Sequence, residues 1–288
     1  MATIGFIGTG VMGEAIAGHL LNAGNDLVVY NRTKAKTDNL VAKGAAWANT
    51  PKEVTEKSDI IFTMVGYPSD VRETYFGETG VFQTDVKGKI FVDMTTSEPA
   101  LAIEIYEKAS ALGASSLDAP VSGGDIGAKN ATLTIMVGGD EEAYNTILPY
   151  FEITGKTFML QGKAGAGQHT KMANQIGIAG TMTGLMEVLV YAKKAGLDLE
   201  KVLTTLGGGG ASTWSMANYG PRILKEDYSP GFFVKHFIKD LGIALAEAEK
   251  MDIKLPGTQL AKALYDELAN VGYENAGTQA LIKLWWKD

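Results

Sequence analysis

The chain contains no cysteine. That excludes disulfides, thiolate zinc sites and a cysteine nucleophile together, and it suits a reducing cytoplasm. Histidine is nearly as scarce: His19, His169 and His236 stand far apart and form no H-E-x-x-H pattern, so no metal is expected. No basic run stands out. The 26 Lys+Arg residues oppose 33 Asp+Glu for a net charge of −7, which argues against nucleic acid or an anionic membrane as the main partner. A mildly acidic surface still permits an anionic small ligand, because a pocket sets its own local field. Met1-Ala2-Thr3 lacks a basic n-region and leads straight into an apolar run, so no signal peptide is expected and the expected location is cytoplasmic. The longest apolar stretch, Ile176 to Ala192, is interrupted by Gly177, Gly180, Thr181, Thr183, Gly184 and Glu187. A membrane span needs about 20 mostly apolar residues; this stretch reads instead as a helix buried in protein on most sides. There is no internal repeat, low-complexity tract or long linker.

What is present is the composition of a globular protein, 45% apolar and 20% charged over 288 residues, enough for two domains or one large one. Ile4-Gly5-Phe6-Ile7 runs into Gly8-Thr9-Gly10-Val11-Met12-Gly13, then into an apolar helical pattern through Leu21, then into Leu27-Val28-Val29-Tyr30. Strand, glycine turn, helix, strand is the setting in which G-x-G-x-x-G marks a dinucleotide site. Gly8 allows the tight turn, Gly10 lets backbone approach a pyrophosphate, and Gly13 lets helix pack on strand. At the end of the second strand an acidic residue would bond the ribose of NAD. Asn31-Arg32-Thr33 stands there instead; no carboxylate repels a 2′-phosphate, and the planar fork of Arg32 can grip one, so NADP is expected over NAD. A solvated arginine at a strand end is the plainer alternative.

The alternation continues with strands over 60–65 and 90–94 and helices over 34–43, 69–75 and 100–112. These strands are continuous apolar runs, as in a parallel sheet covered on both faces. Loops after their C-terminal ends form the ligand crevice in such sheets, which places Gly66-Tyr67-Pro68 and Thr95-Thr96 beside the cofactor. Ser122-Gly123-Gly124 offers a hydroxyl and consecutive backbone N–H groups with little bulk, a turn able to nest an anion; a flexible surface loop is the alternative, which Gly127-Ala128-Lys129-Asn130 resembles. Strands follow over 132–137 and 157–160. From Gly165 onward the two-residue alternation is gone, and helices are read over 167–195, 198–206, 211–218, 234–251, 256–271 and 277–285. Lys171, Asn174 and Gln175 fall at i, i+3 and i+4, which puts an amine and two amides on one helical face. A solvated surface lysine is the alternative there.

The segments at 5–13, Asp118 to Gly124, Gly165 to Gln175 and Lys239-Asp240 together resemble the β-hydroxyacid dehydrogenase family, over nearly the whole chain and in the family's order. The resemblance implies an α/β Rossmann dinucleotide-binding domain over 1–163, an all-α substrate and oligomerisation domain over 164–288, and an active site between them. It implies an NAD(P)-dependent oxidoreductase interconverting a small β- or γ-hydroxy acid and its semialdehyde. Lys171 would be the acid/base and Asn174 a substrate-orienting group. Ser122, Gly123 and Gly124 would hold a substrate carboxylate, with Gln175, Phe232 and Asp240 near the reacting centre. Gly8, Gly10, Val11, Met12, Gly13, Asn31, Arg32, Thr33, Val65, Pro68, Thr96 and Lys239 would hold the cofactor. A homodimer or homotetramer is implied, with the apolar helix from Ile176 and Trp285-Trp286 at its interface. Gln175 departs from the second asparagine seen in many members, and Gly66-Tyr67-Pro68 from a more usual Leu-Pro. Imine reductases share the architecture but are expected to lack the lysine, so Lys171 argues against one. A non-catalytic nucleotide-binding module is opposed by Lys171, Asn174 and Ser122 standing together.

Overall fold

A computed structural model describes residues 2–286. The chain divides into two compact units, residues 1–171 and 172–288.

In the first unit the elements run β1 (Ile4–Ile7), α1 (Val11–Asn22), β2 (Leu27–Tyr30), α2 (Asp38–Ala42), β3 (Ala46–Trp47), α3 (Pro51–Glu56), β4 (Ile60–Thr63), α4 (Pro68–Phe76), β5 (Ile90–Asp93), α5 (Pro99–Ala111), β6 (Ser115–Asp118), β7 (Val121–Ser122), α6 (Gly124–Lys129), β8 (Leu133–Gly138), α7 (Glu141–Thr154) and β9 (Gly155–Gly162). The sheet order is β3-β2-β1-β4-β5-β6-β8-β7, with β9 on β8. β1 pairs in parallel with both β2 and β4, so the chain reverses its direction of travel across the sheet there. Crevices form at such switch points beyond the strand C-termini. Alternate residues feed two cores. Phe6, Val29, Phe62 and Val92 pack on one face with Ile16 and Leu20, while Ile7, Val28, Ile61 and Phe91 pack on the other with Leu101 and Ile105. Hence the runs read as continuously apolar: neither face is left to water.

The second unit is helical. α8 (Ala166–Lys194) begins in the first unit, and the division falls inside it. Then come α9 (Leu199–Gly207), α10 (Trp214–Leu224), α11 (Val234–Lys250) and α12 (Pro256–Leu268), followed by a 3₁₀ turn over Thr278–Leu284. Met182, Met186 and Leu189 pack with Phe237, Leu241, Tyr265 and Leu268. Asp198 caps α9 through the backbone N–H groups of Glu200 and Lys201, as its sequence position predicts. α10 starts later than expected because Thr213 caps it by accepting from Met216 N, and it runs on through Pro221. α12 ends at Leu268, and a π turn over Ala269–Tyr273 follows it, with Gly272 at φ +96°.

One expectation is corrected: Gly127-Ala128-Lys129, which resembles a flexible loop in sequence, closes the helix α6 (Gly124–Lys129), with Gly127 and Ala128 buried. The helix read as buried on most sides is so, except along one stripe of α8 where Gly177, Gly180, Gly184, Glu187 and Tyr191 are exposed, Tyr191 at 76%. Those positions recur every three to four residues, so they form one face. Among the described residues no helix is long and apolar enough to cross a membrane.

Candidate active site

The glycine turn behaves as its spacing predicts. Gly8 has φ +99°, and a Cβ at Gly13 would lie 1.9 Å from Gly8 O, so α1 can meet β1 only through glycine. At Gly10, by contrast, nothing of the protein lies within 4 Å of where a Cβ would be. Space in front of the helix start, with glycine kept out of no internal contact, fits a pyrophosphate. Asn31 ties this turn to the end of β2: its Oδ1 accepts from Thr9 N at 3.1 Å and its Nδ2 donates to Thr33 O at 2.9 Å. Val11 and Met12 open α1, and Pro68 opens α4.

Arg32 is 86% exposed at its side chain and donates to Asp70 Oδ1 at 3.1 Å. This corrects the reading that no carboxylate stands near a 2′-phosphate. Asp70 belongs to α4 and its other oxygen accepts from Tyr67 N at 3.1 Å. Because β2 and β4 flank β1, the segments leaving both strands converge, and a pair 38 residues apart in sequence closes.

At the ends of β4 and β5 a buried polar chain replaces the apolar strand interior. Thr63 Oγ1 donates to Asp93 Oδ1 at 2.7 Å, and Thr95 N donates to the same oxygen at 3.1 Å. Tyr75 OH lies 3.2 Å from Thr63 Oγ1. Val65 N donates to Thr95 Oγ1 at 3.0 Å, so the two loops that carry Val65 and Thr96 are bonded together. Burial pushes the Asp93 carboxyl up to about 6 against the opposing hydrogen bonds from Thr63 and Thr95. An acid raised by folding binds its proton more tightly in the native state, so its contribution to stability is full below the unfolded value near 4 and is lost as pH rises through about 6. The shift of about two units amounts to about 3 kcal/mol. Asp93→Asn removes that dependence: relative to the variant, wild type should lose about that much stability between about pH 4 and pH 7, measured by urea unfolding at each pH. An unchanged difference across that range would contradict the assignment.

The start of α8 is held from outside its own sequence. Asp118, buried at the end of β6, accepts from Gly165 N at 2.8 Å through Oδ1 and from Gln168 N at 2.8 Å through Oδ2. A Cβ at Gly167 would lie 2.4 Å from Met136 O and 2.6 Å from Asp118 O, so only glycine lets the helix start lie this close to β6 and β8. One turn on, Lys171 is 5% exposed and its Nζ donates to Val121 O at 2.8 Å. Val121 adjoins Ser122 in β7, and Gly123 and Gly124 follow with φ +126° and +63°. Lys171 is therefore not the solvated surface lysine of the plainer reading; its amine rests one residue from the candidate anion turn.

In the second unit four side chains form a row. Asn174 Nδ2 donates to Gln175 Oε1 at 2.7 Å, Gln175 Nε2 donates to Asp240 Oδ2 at 2.6 Å, and Lys239 Nζ lies 3.1 Å from Asp240 Oδ1. Gln175 and Asp240 are buried. Burying a carboxylate is tolerable only with such partners. Phe232 meets Phe237 edge to face, ring centroids 5.7 Å apart. Among the described residues no group of three or more acidic, histidine or cysteine side chains could hold a metal. Sequence reading assigned Asp93 no role, and it named Thr95, Asp118 and Gln168 within their segments without the bonds they make, whose partners are up to 73 residues away.

The sequence profile of the NAD binding domain of 6-phosphogluconate dehydrogenase matches residues 3–162. That of the NAD-binding region of NADP-dependent 3-hydroxyisobutyrate dehydrogenase matches residues 165–285. An uncharacterized oxidoreductase of Bacillus subtilis is 53% identical over 99% of both chains, and the 2-hydroxy-3-oxopropionate reductase of Escherichia coli is 40% identical over 97% of this chain and 96% of that one. The solved 3-hydroxyisobutyrate dehydrogenase of Mycobacterium tuberculosis, with L-serine, superposes at a TM-score of 0.90, with 28% identity over 99% of both chains. An imine reductase of Myxococcus stipitatus is more distant, at 22% identity and a TM-score of 0.65 over 98% of this chain and 99% of that one, a likeness of fold alone. With a glycine turn open at Gly10, a buried lysine beside a turn of two positive-φ glycines, and relatives matched from end to end, the chain belongs to the β-hydroxyacid dehydrogenase family of NAD(P)-dependent oxidoreductases.

Proposed function

We propose that the protein interconverts a small β- or γ-hydroxy acid and its semialdehyde, with NADP preferred over NAD. The observation that carries this is the buried Lys171 amine bonded to Val121 O, one residue from Ser122. When bound, the nicotinamide cofactor supplies the hydride chemistry. Lys171 takes the hydroxyl proton in oxidation and returns it in reduction. Ser122, Gly123 and Gly124 grip the carboxylate. Asn174, Gln175 and Asp240 form an ordered polar row suited to orienting the substrate, and Phe232 supplies an apolar wall. Gly8, Gly10 and Gly13, with Val11 and Met12, form the turn for the pyrophosphate, and Asn31, Arg32 and Thr33 lie where the ribose end is read. Val65, Pro68, Thr96 and Lys239 complete the cofactor contacts. The chain is soluble and cytoplasmic in this reading, and the exposed stripe of α8 with Trp285, 37% exposed, suits a homodimer or homotetramer, which sedimentation at micromolar concentration resolves from a monomer.

The test is a panel of glyoxylate, succinic semialdehyde, tartronate semialdehyde, methylmalonate semialdehyde and serine with both cofactors, followed by nicotinamide absorbance. Turnover of at least one member is expected; none with either cofactor would leave only a nucleotide-binding module. Within the panel kcat/KM should be higher with NADPH. Arg32→Ala should remove most of that preference, since a charge-assisted bond to phosphate is worth about 1.5–3 kcal/mol, or about one to two decades. Asp70 competes with the phosphate for the same guanidinium, which places the effect toward the lower end. Equal efficiency of the two cofactors in wild type would overturn the NADP preference.

A further inference from the structure

Gln168 is fully buried, and both ends of its amide are used. Nε2 donates to Thr95 O at 2.7 Å, and Oε1 accepts from Ser97 N at 2.9 Å. An amide that meets the C=O of one residue and the N–H of the residue two further on does what a neighbouring strand would do. Here a single side chain does it for a loop that has left the sheet. The loop is the one after β5, and it carries Thr96. The same loop bonds the segment after β4 through Thr95 Oγ1 and Val65 N, and it hangs from Asp93 through Thr95 N.

On the helix side, Gln168 lies three residues before Lys171, on the same face of α8. Its own backbone N–H is held by Asp118. Helix starts leave their first N–H groups unsatisfied and fray readily; this one is fixed at two points, by the Asp118 carboxylate below and by the Gln168 amide beside it. A lysine has a long, flexible stem, so its amine is only as well placed as the turn it grows from.

We propose that Gln168 is a positioning residue for the Lys171 acid/base: its amide locks the first turns of α8 to the Thr95–Ser97 loop, so that the amine and the loop carrying Thr96 hold one fixed distance. This rests on the reading of Lys171 as acid/base. Gln168 touches neither substrate nor cofactor in this scheme and acts through Lys171.

The test is a double-mutant cycle of Gln168→Met and Lys171→Ala, with kcat, KM and NADPH affinity by fluorescence titration for each. Methionine keeps the volume and loses both hydrogen bonds. A misplacement of about 1 Å at a reacting group costs about 10²-fold, so Gln168→Met is expected to lower kcat by about 10- to 100-fold, with NADPH affinity lowered by a much smaller factor through the Thr96 loop. In the Lys171→Ala background the same substitution should change kcat by less than about threefold, because residues that act as a unit are non-additive. In the cofactor-free protein, hydrogen exchange over residues 165–172 and 95–97 should quicken together. Leaving Thr95 O and Ser97 N unsatisfied also weakens the fold. If Gln168→Met does not fold, Gln168→Asn replaces it, keeping an amide one methylene too short to bridge Thr95 O and Ser97 N; the same non-additivity is expected of it. Loss of kcat that adds fully to that of Lys171→Ala, or no loss at all, overturns the proposal. A Lys171→Ala variant that stays active overturns instead the reading on which it rests.

Discussion

Lys171→Ala is expected to lose about 10²–10⁴-fold in kcat, the usual cost of removing a positioned acid/base, or about 3–5 kcal/mol of barrier. The side chain is buried and its Nζ is held by Val121 O, so truncation removes the amine without an exposed neighbour to replace it. NADPH titration by fluorescence should stay nearly unchanged, because the glycine turn and Arg32 lie at the ends of β1 and β2. Retention of more than about a tenth of wild-type kcat on the best panel substrate would remove Lys171 from the role and make Asp240 the residue to test.

What made Lys171 legible from sequence was local periodicity: i, i+3, i+4 on a helix with a glycine start needs no tertiary information. The same holds for β1, β2, β4 and β5, whose unbroken apolar runs follow from burial on both faces. The segment 124–129 shows where that kind of reasoning stops. Gly127-Ala128-Lys129-Asn130, within and just past it, resembles a flexible loop, because propensity is all a short segment offers. The segment is helical because its C-terminal carbonyls are met from elsewhere: His19 Nε2 lies 3.0 Å from Ala128 O and 3.1 Å from Lys129 O. β3, at two residues, is too short to carry a pattern at all.

The site divides along the same line. Glycines at 8, 10 and 13 are specified by their spacing. The pairing of Arg32 with Asp70, the cap that Asp118 places on α8, and the Gln168 bridge all join residues 38 to 73 apart. Each uses an ordinary polar residue that is unremarkable in its own segment. A strand-end arginine reads as unopposed until the sheet order puts the start of α4 beside it. Second-layer contacts of this kind are fixed by topology rather than by motif, which is why the candidate reacting groups could be named from sequence and their supports could not.

The largest expected effect concerns the substrate rather than a mutation. Succinic semialdehyde and butanal differ only in a carboxylate against a methyl at the far end, and the acid should be reduced about 10⁴-fold more efficiently, since sites built to bond a polar group reject analogues lacking it by about that factor. β7 pairs with β8 through Val121 and Ser122, which holds Ser122 on rigid backbone, and the chain then turns through two glycines at positive φ, Gly123 and Gly124, into the start of α6. An L side chain at either would be strained, and the bare backbone leaves its N–H groups accessible to an anion. Val121 O is where the Lys171 amine rests. The proposed carboxylate turn begins one residue after the carbonyl that holds the proposed proton donor, which suits a substrate of a few carbons, acid at one end and carbonyl at the other. Without the carboxylate, the turn's polar groups go unpaired in the transition state, and that cost lowers the rate. Comparable kcat/KM for the two aldehydes, measured by NADPH consumption, would show that Ser122, Gly123 and Gly124 bind something else. Loss of both activities in Lys171→Ala would confirm that the two aldehydes, however unequal, are reduced at one site.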